Sequence, residues 1–169
     1  MVFFHKRYNL PKEIDINSIH YDGWDEIEEV LRKDYDVLIA RRVSMYDHSG
    51  VTIKIGSFSC PWDSGTIGFI VATRKDILKE FGLKKISPQA LEKANKILEG
   101  EVETYDQYLT GDVHCFHIDE PVEEACGGIF GYENAVKEVQ SIIDHYHTPE
   151  AEVKRDALAL DEMEKQLIG

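Results

Sequence analysis

The sequence lacks a membrane-spanning run, a signal-peptide pattern and a disulfide framework. No uncharged apolar stretch reaches the roughly 18 residues that a membrane helix needs, so we expect no membrane span. The first residues do not show the basic, apolar and small-residue order of a signal peptide. Only three cysteines are present, at positions 60, 115 and 126. So few cysteines favour a reduced, cytoplasmic protein.

Basic residues are also scarce relative to acidic ones. The 169 residues include 32 Asp and Glu against 19 Lys and Arg, which gives a formal net charge of −13 at pH 7. Because this charge repels phosphate backbones, it argues against direct nucleic-acid binding. A basic partner protein, such as the DNA-binding surface of a nuclease, is compatible with it. A purely solubilising role is equally compatible.

The apolar pattern predicts an α+β fold. We expect one domain over residues 1–148, with a mainly antiparallel sheet, a long central helix and C-terminal helices, followed by a helical tail over 149–169. Gly127 and Gly128 indicate a bulge or a close backbone approach in the last strand. Short apolar or alternating runs predict six strands, at residues 2–8, 37–45, 51–57, 67–71, 113–118 and 122–130.

Helices are predicted where apolar residues recur at three- and four-residue spacing behind a capping residue. Their expected starting residues are Asp22 as a cap, Thr73 and Asp76 as a capping box, Ser87 and Pro88 as a cap and first turn, and Tyr132 for the last helix.

Residues 58–65, Phe-Ser-Cys-Pro-Trp-Asp-Ser-Gly, bring a thiol, an indole, a carboxylate and two hydroxyls into one predicted loop. If the strands on either side of residues 51–57 form a meander, this loop and the turn at 46–50 lie at opposite ends of a strand about 23 Å long. We therefore expect Cys60 and His48 not to meet.

Three segments in this order are similar to one known family. They are Tyr-Asp-His-Ser-Gly at 46–50, the loop at 58–65 followed by Gly-Phe-Ile at 68–70, and Glu-Thr-Tyr-Asp-Gln-Tyr-Leu-Thr-Gly-Asp-Val at 103–113. Over roughly residues 1–131 the chain resembles a family of small proteins encoded by bacteriophages, prophages and plasmids. The resemblance implies a mobile-element accessory protein in the host cytoplasm. Such proteins often act against host defences.

The interpretation we favour is a non-catalytic binding or inhibitory protein, with counter-defence as one role and a pocket near the 58–65 loop. A few aromatic walls with a few placed polar groups are typical of small-molecule sites. An aromatic ring suits a stacked, nucleotide-like ligand; a host protein is the other partner considered. Asp106 and Gln107 show no packing role in the pattern. The predicted ligand-binding residues are Trp62, Asp63, Ser64, Asp106, Gln107 and Asp112.

Three alternatives stay open. A small hydrolase would use Cys60 as nucleophile, with His114 or His117 as its base. The helices over 132–169 would pair two copies as a homodimer. A metal site would draw on four residues, Asp106, Asp112, His114 and His117. Because these four show no recognisable ligand spacing, we expect no metal and no cofactor.

Overall fold

The computed structural model describes residues 1–4, 7, 14, 16, 21–120, 123–149 and 152–153. The chain divides into two compact units, Met1–Thr110 and Gly111–Gly169. Helices and antiparallel strands occur in both units, which confirms the predicted α+β class. The predicted domain boundary at residue 148 stays a prediction.

A four-stranded antiparallel sheet forms the centre of the first unit. Its strands are β1 (Val2–Phe3), β2 (Val37–Asp47), β3 (Val51–Ile55) and β4 (Ser64–Thr73), in the spatial order β1-β4-β2-β3. β4 begins before the predicted apolar run because its pairing with β2 continues to Ser64, opposite Tyr46. Of the strand predicted over 2–8, residues 5, 6 and 8 lie outside the described residues.

The strand order differs from the expected meander. β4 pairs with β2 and not with β3, so β2 has a neighbour on each side. β4 is buried over Ile67–Ile70, whereas β3 exposes Lys54. The more apolar strand therefore takes the interior position and the strand with a lysine takes the edge, as is usual for exposed edges.

Helix α1 (Trp24–Asp34) covers one face of the sheet. Its buried residues Ile27 and Leu31 belong to a cluster with Val2, Val37 and Phe69. Asp22 does not cap this helix, contrary to the prediction, because Gly23 occupies the cap position without a side-chain bond. Instead, the Asp22 backbone N–H donates to the Glu26 carboxylate at 2.7 Å.

Helices α2 (Arg74–Glu80) and α3 (Pro88–Thr110) pack with the opposite face. The capping box of Thr73 and Asp76 is present as predicted. The Ser87 hydroxyl accepts from the Ala90 backbone N–H at 3.2 Å and so caps α3. The apolar side of α3 faces the core, where the helix buries Ala90, Ala94, Leu98 and Val102.

The second unit contains a hairpin and a helix. Strands β5 (Val113–Ile118) and β6 (Glu124–Phe130) pair antiparallel, and α4 (Tyr132–Tyr146) follows. The predicted bulge is confirmed, because Cys115 pairs with Gly127 while His114 pairs with Ile129, so that Gly128 is skipped at a φ of 78°. Residues 121–122 and most of the tail over 149–169 lie outside the described residues.

No helix in the described parts of the chain is long and apolar enough to cross a membrane.

Candidate functional site

The loop over residues 56–63 returns to the end of the sheet where the 46–50 turn lies. β3 ends at Ile55 opposite Val43, yet β4 begins at Ser64 opposite Tyr46. Because β3 and β4 both run antiparallel to β2, the connecting loop must travel back along the length of β3. The Asp47 backbone N–H then donates to the Asp63 carbonyl at 2.9 Å.

Aromatic packing and one hydroxyl hold this loop in place. The ring of Phe58 packs on Tyr46 with centroids 5.7 Å apart, and the Lys54 ammonium stands 4.5 Å from the Phe58 centroid. The Ser64 hydroxyl donates to the Cys60 carbonyl. The loop is therefore anchored on β2 and β3 and closed across its own base.

The Asp63 carboxylate contacts both His48 and Cys60, which corrects the expectation that these two lie far apart. Asp63 Oδ2 is 3.5 Å from His48 Nδ1 and 3.7 Å from Cys60 Sγ. The expectation was wrong because it assumed a meander. The Cys60 thiol thus donates a hydrogen bond to a carboxylate. It does not donate to an imidazole, which would be the base that removes its proton.

A cavity of about 340 Å³ opens beside this loop. Trp62 lies on it with 92% of its surface exposed. Two of its lining residues, Met45 and Ile67, are buried apolar side chains. The full lining is Met45, Asp47, Trp62, Asp63, Ser64, Gly65, Thr66 and Ile67. An exposed aromatic ring beside apolar side chains and a few polar groups is typical of a ligand site.

The charge of the cavity is negative. Among the residues that the structure describes, the ionisable ones that line it are Asp47 and Asp63, and none of the lining residues is a lysine or arginine. Asp47 pairs with the guanidinium of Arg7 at 3.1 Å, at an exposed position. Carboxylates accept hydrogen bonds and repel phosphates, so the cavity favours neutral or cationic N–H donors.

Asp106 has a structural partner that the sequence pattern does not reveal. Its Oδ1 accepts from the Thr52 hydroxyl and from the Ile53 backbone N–H, each at 2.7 Å. The carboxylate therefore joins α3 to the edge strand β3 and satisfies a donor there. Neither Asp106 nor the half-buried Gln107 is among the residues that line the cavity. The expectation that this pair lacks a packing role is wrong for Asp106.

The remaining candidates lie in the second unit and interact locally. His114 Nε2 is 2.6 Å from Asp112 Oδ1, and the Tyr132 ring meets the His114 ring edge-on at 5.6 Å. His117 Nδ1 is 3.6 Å from Asp119 Oδ1 and is largely exposed. Each proposed base thus has a neighbouring carboxylate that can orient it.

Metal ligation finds no support in the described residues. Within 1–4, 7, 14, 16, 21–120, 123–149 and 152–153, no group of three or more His, Cys, Asp and Glu side chains is placed to hold an ion. His114 is half-buried and His117 exposed on β5, which matches the alternation that points them to different sides of a strand.

Sequence reasoning missed Asp47 and Thr66 as cavity residues. Asp47 was assigned to the turn at 46–50, and Thr66 lay between the predicted loop and the predicted strand without an assignment. The signal that would have placed them is the pairing of β2 with β4, which brings residues 44–46 beside 64–66 and Asp47 beside Asp63. Local periodicity does not carry that information, because it reports which face a residue takes and not which strand lies next to it.

In comparisons with protein-family models, curated proteins and solved structures, no match to this chain is found.

Proposed function

We propose that this chain is a non-catalytic binding protein whose ligand site is the cavity beside Trp62. The observation that carries the proposal is the 92% exposure of Trp62 beside a cavity that the buried side chains of Met45 and Ile67 also line. A large aromatic side chain gains nothing for folding while it remains in water. Aromatic side chains at such positions are typical of binding surfaces.

The residues that line the cavity limit the kinds of ligand that it can bind. The indole of Trp62 offers a face for a planar ring, and the carboxylates of Asp47 and Asp63 accept N–H donors. Because the Asp63 carboxylate repels phosphate, while that of Asp47 is already paired with Arg7, a nucleoside-like ring or a side chain of a host protein suits the site better than a nucleotide. The mobile-element origin, the counter-defence role and the location in the host cytoplasm rest on the family resemblance and the composition.

Tryptophan fluorescence tests this proposal directly. The chain has two tryptophans, and Trp24 packs against Phe4 and Phe69 with centroids 6.1 and 5.9 Å apart. Trp62 therefore dominates the response of the emission to solvent. We expect adenosine, guanosine, cytidine or uridine to quench or blue-shift this emission, and each 5′-monophosphate to bind about tenfold more weakly, which corresponds to about 1.4 kcal/mol.

Trp62→Ala is the decisive variant. It should remove the response while leaving the free energy of unfolding within about 0.5 kcal/mol of wild type, because an exposed side chain contributes little to stability. Trp24→Phe is the matched control and should preserve the response. If no nucleoside changes the wild-type emission at about 1 mM, the ring-ligand form of the proposal is excluded.

A hydrolase that uses Cys60 is the second candidate. The observation that favours it is the half-buried position of Cys60 in a cluster with Asp63 and His48. The contact that disfavours it is the one the thiol makes, since Cys60 Sγ donates to Asp63 Oδ2 at 3.7 Å and not to an imidazole. A thiol reagent distinguishes the two, with Cys60→Ala as its reference. Absence of Cys60 labelling at neutral pH in the native protein excludes the nucleophile, whereas rapid labelling supports it.

A further inference from the structure

The outer strands of the two sheets differ in how their free edges are protected. An unpaired edge presents backbone N–H and C=O groups that can pair with another strand, and proteins protect such edges with charged residues, bulges or short strands. Among the described residues, β1 is only two residues long. β3 carries the exposed Lys54, and its Ile53 backbone N–H donates to the Asp106 carboxylate. β6 begins with Glu124 and contains the bulge at Gly128.

β5, the remaining outer strand, has none of these protections. Its six residues, Val-His-Cys-Phe-His-Ile at 113–118, include no lysine, arginine, carboxylate, proline or glycine. In the described part of the chain, β5 pairs with β6 on one side and with no strand on the other. The backbone of residues 113–118 makes no hydrogen bond to any described residue besides this ladder. The outer N–H and C=O groups of β5 are therefore open for a further strand.

Apolar side chains beside this edge are exposed to water. Val113, at the start of β5, is 40% exposed. Tyr132, whose ring meets the His114 ring edge-on at 5.6 Å, is 66% exposed. A strand added along β5 would place its own side chains next to Val113 and His114, because paired residues of neighbouring strands have adjacent side chains. Such a strand would therefore pair the open backbone groups and also remove apolar surface from water.

Charge and symmetry favour β5 of a second copy as the added strand. Residues 111–149 contain eight Asp and Glu against one Lys, so most of this unit repels a copy of itself. β5 carries no formal charge at pH 7 when histidine is neutral, so two copies can approach each other along this strand. A strand that suits this edge is itself uncharged and has an open edge. The β5 strand of a second copy meets both conditions.

The two sides of β5 limit how its copies can pair. Val113, Cys115 and His117 are exposed, whereas the alternate residues lie on the side of α4, as the contact of His114 with Tyr132 shows. A shift of the register by one residue exchanges the two sides of a strand. Antiparallel pairing about Cys115 matches residues of the same side, so that both copies of α4 cover the same side of one sheet.

We propose that two copies of this chain pair antiparallel along β5, with Cys115 opposite its own copy. The two hairpins then form one four-stranded sheet in the order β6-β5-β5-β6. The contact involves residues 113–118 and so lies outside the helices over 132–169, through which the sequence suggests a homodimer. It does not involve the cavity beside Trp62 and does not depend on the function proposed for that cavity.

Disulfide cross-linking of the full chain tests the register. Directly opposite residues of an antiparallel pair have Cα atoms about 4.5 or 5.5 Å apart, which a disulfide can span. Cys60→Ser with Cys126→Ser retains only Cys115. Its oxidation by diamide, which takes up the two protons and two electrons that the two thiols lose, should give a covalent dimer. The matched control, Cys60→Ser with Cys115→Ser, retains only Cys126, which is also exposed. Because Cys126 would lie roughly 14 Å or more from its copy, three strand spacings away, this control should give at least about tenfold less dimer.

Sedimentation velocity without an oxidant tests the contact itself. The dimer fraction of wild type should rise with protein concentration and with salt, because salt screens the repulsion between two acidic copies. Cys115→Glu should leave the protein monomeric, since it places two carboxylates opposite each other. Cys126→Glu makes the same change in net charge at another exposed position and should leave the dimer intact. Trp62→Ala should also leave it intact, so this contact and the proposed cavity can fail independently.

Hydrogen exchange of wild type provides a measurement that needs no variant. Amides within residues 113–118 should exchange more slowly at high protein concentration than at low, because the second copy pairs those that face outward. A monomer at every concentration, or exchange that does not depend on concentration, would overturn the proposal and leave this edge to an extended segment of another protein. Equal cross-linking through Cys126, or a dimer that Cys115→Glu does not dissociate, would place the contact elsewhere and overturn the proposal as well.

Discussion

Asp63 Oδ2 lies 3.5 Å from His48 Nδ1, although the two residues belong to different connections of the sheet. His48 is in the turn between β2 and β3, and Asp63 ends the loop that leads from β3 to β4. They approach because β4 pairs with β2, which returns the loop to the turn. The same carboxylate oxygen is 3.7 Å from the Cys60 thiol.

Removal of the Asp63 carboxylate should change thiol chemistry more than stability. Because His48 and Asp63 are both substantially exposed, Asp63→Ala should lower the free energy of unfolding by less than about 1 kcal/mol in urea denaturation. Alkylation of Cys60 by the uncharged reagent iodoacetamide should become faster, because the thiol loses the carboxylate to which it donates. Asp119→Ala, at an exposed position, should change neither quantity. A slower reaction at Cys60 would contradict this account.

Asp106 should contribute to stability through the edge strand. Asp106→Ala leaves the Ile53 backbone N–H and the Thr52 hydroxyl without their acceptor, and we expect a loss of about 1–3 kcal/mol in the free energy of unfolding. Asp106→Asn keeps an acceptor oxygen and should lose less. Glu103→Ala, on an exposed turn of the same helix, serves as the control and should stay within about 0.5 kcal/mol of wild type. Equal stability of wild type and Asp106→Ala would show that the bonds are not maintained in solution.

Two glycine substitutions should change the free energy of unfolding in opposite directions. A Cβ at Gly68 would lie 2.1 Å from the Val2 carbonyl oxygen and 2.8 Å from the Phe3 Cα, so Gly68→Ala must displace β1 from β4. We expect a loss of about 2–3 kcal/mol. Gly100 lies within α3 and a Cβ there meets nothing within 4 Å, so Gly100→Ala should add about 0.5–1 kcal/mol by reducing the freedom of the unfolded chain. Thermal or urea denaturation of the two variants and of wild type measures the loss of stability in one and the gain in the other.

Alkaline pH should destabilise the protein in part through Tyr105. Burial raises the pKa of Tyr105 above its ordinary value, and the neighbouring Tyr108, whose ring stacks at 6.0 Å, raises that pKa further. The unfolded chain therefore releases this proton first, and the stability contributed by the neutral phenol falls as pH rises above about 10. Tyr105→Phe should flatten that fall in a series of urea denaturations. Its tyrosinate absorbance titration should also lose one group that ionises above about pH 10. The prediction would be contradicted if the tyrosine that is missing from the titration of the variant had an ordinary pKa.

Elements whose causes lie within a few residues could be predicted from the sequence. The capping box of Thr73 and Asp76 and the start of α3 after Ser87 both depend on bonds that span three residues. The bulge at Gly128 depends on a backbone conformation that glycine adopts without strain. The cap of α1 was assigned to the wrong residue, because Asp22 and Gly23 both suit a helix start and the choice depends on how the chain approaches α1.

The candidate site could be predicted only in part. Trp62, Asp63 and Ser64 were named together because they are neighbours in sequence, and they line one cavity. Asp106 was named as a ligand residue because its partner is 53 positions away at Ile53, and no local pattern shows it. Asp112 was named with them but belongs to the second unit, where its carboxylate meets His114.

By itself, the sequence determined the α+β class, most helix starts and the alternating strands. It also determined the negative net charge and the presence of an aromatic ring in the 58–65 loop. These follow from side-chain periodicity and composition, which act over a few residues. Only the tertiary structure decided that β4 pairs with β2, that the 58–65 loop meets the 46–50 turn, and that Asp106 binds the edge strand. The physical reason is that strand order depends on which long-range pairing buries the most apolar surface, a comparison over the whole chain that no single segment contains.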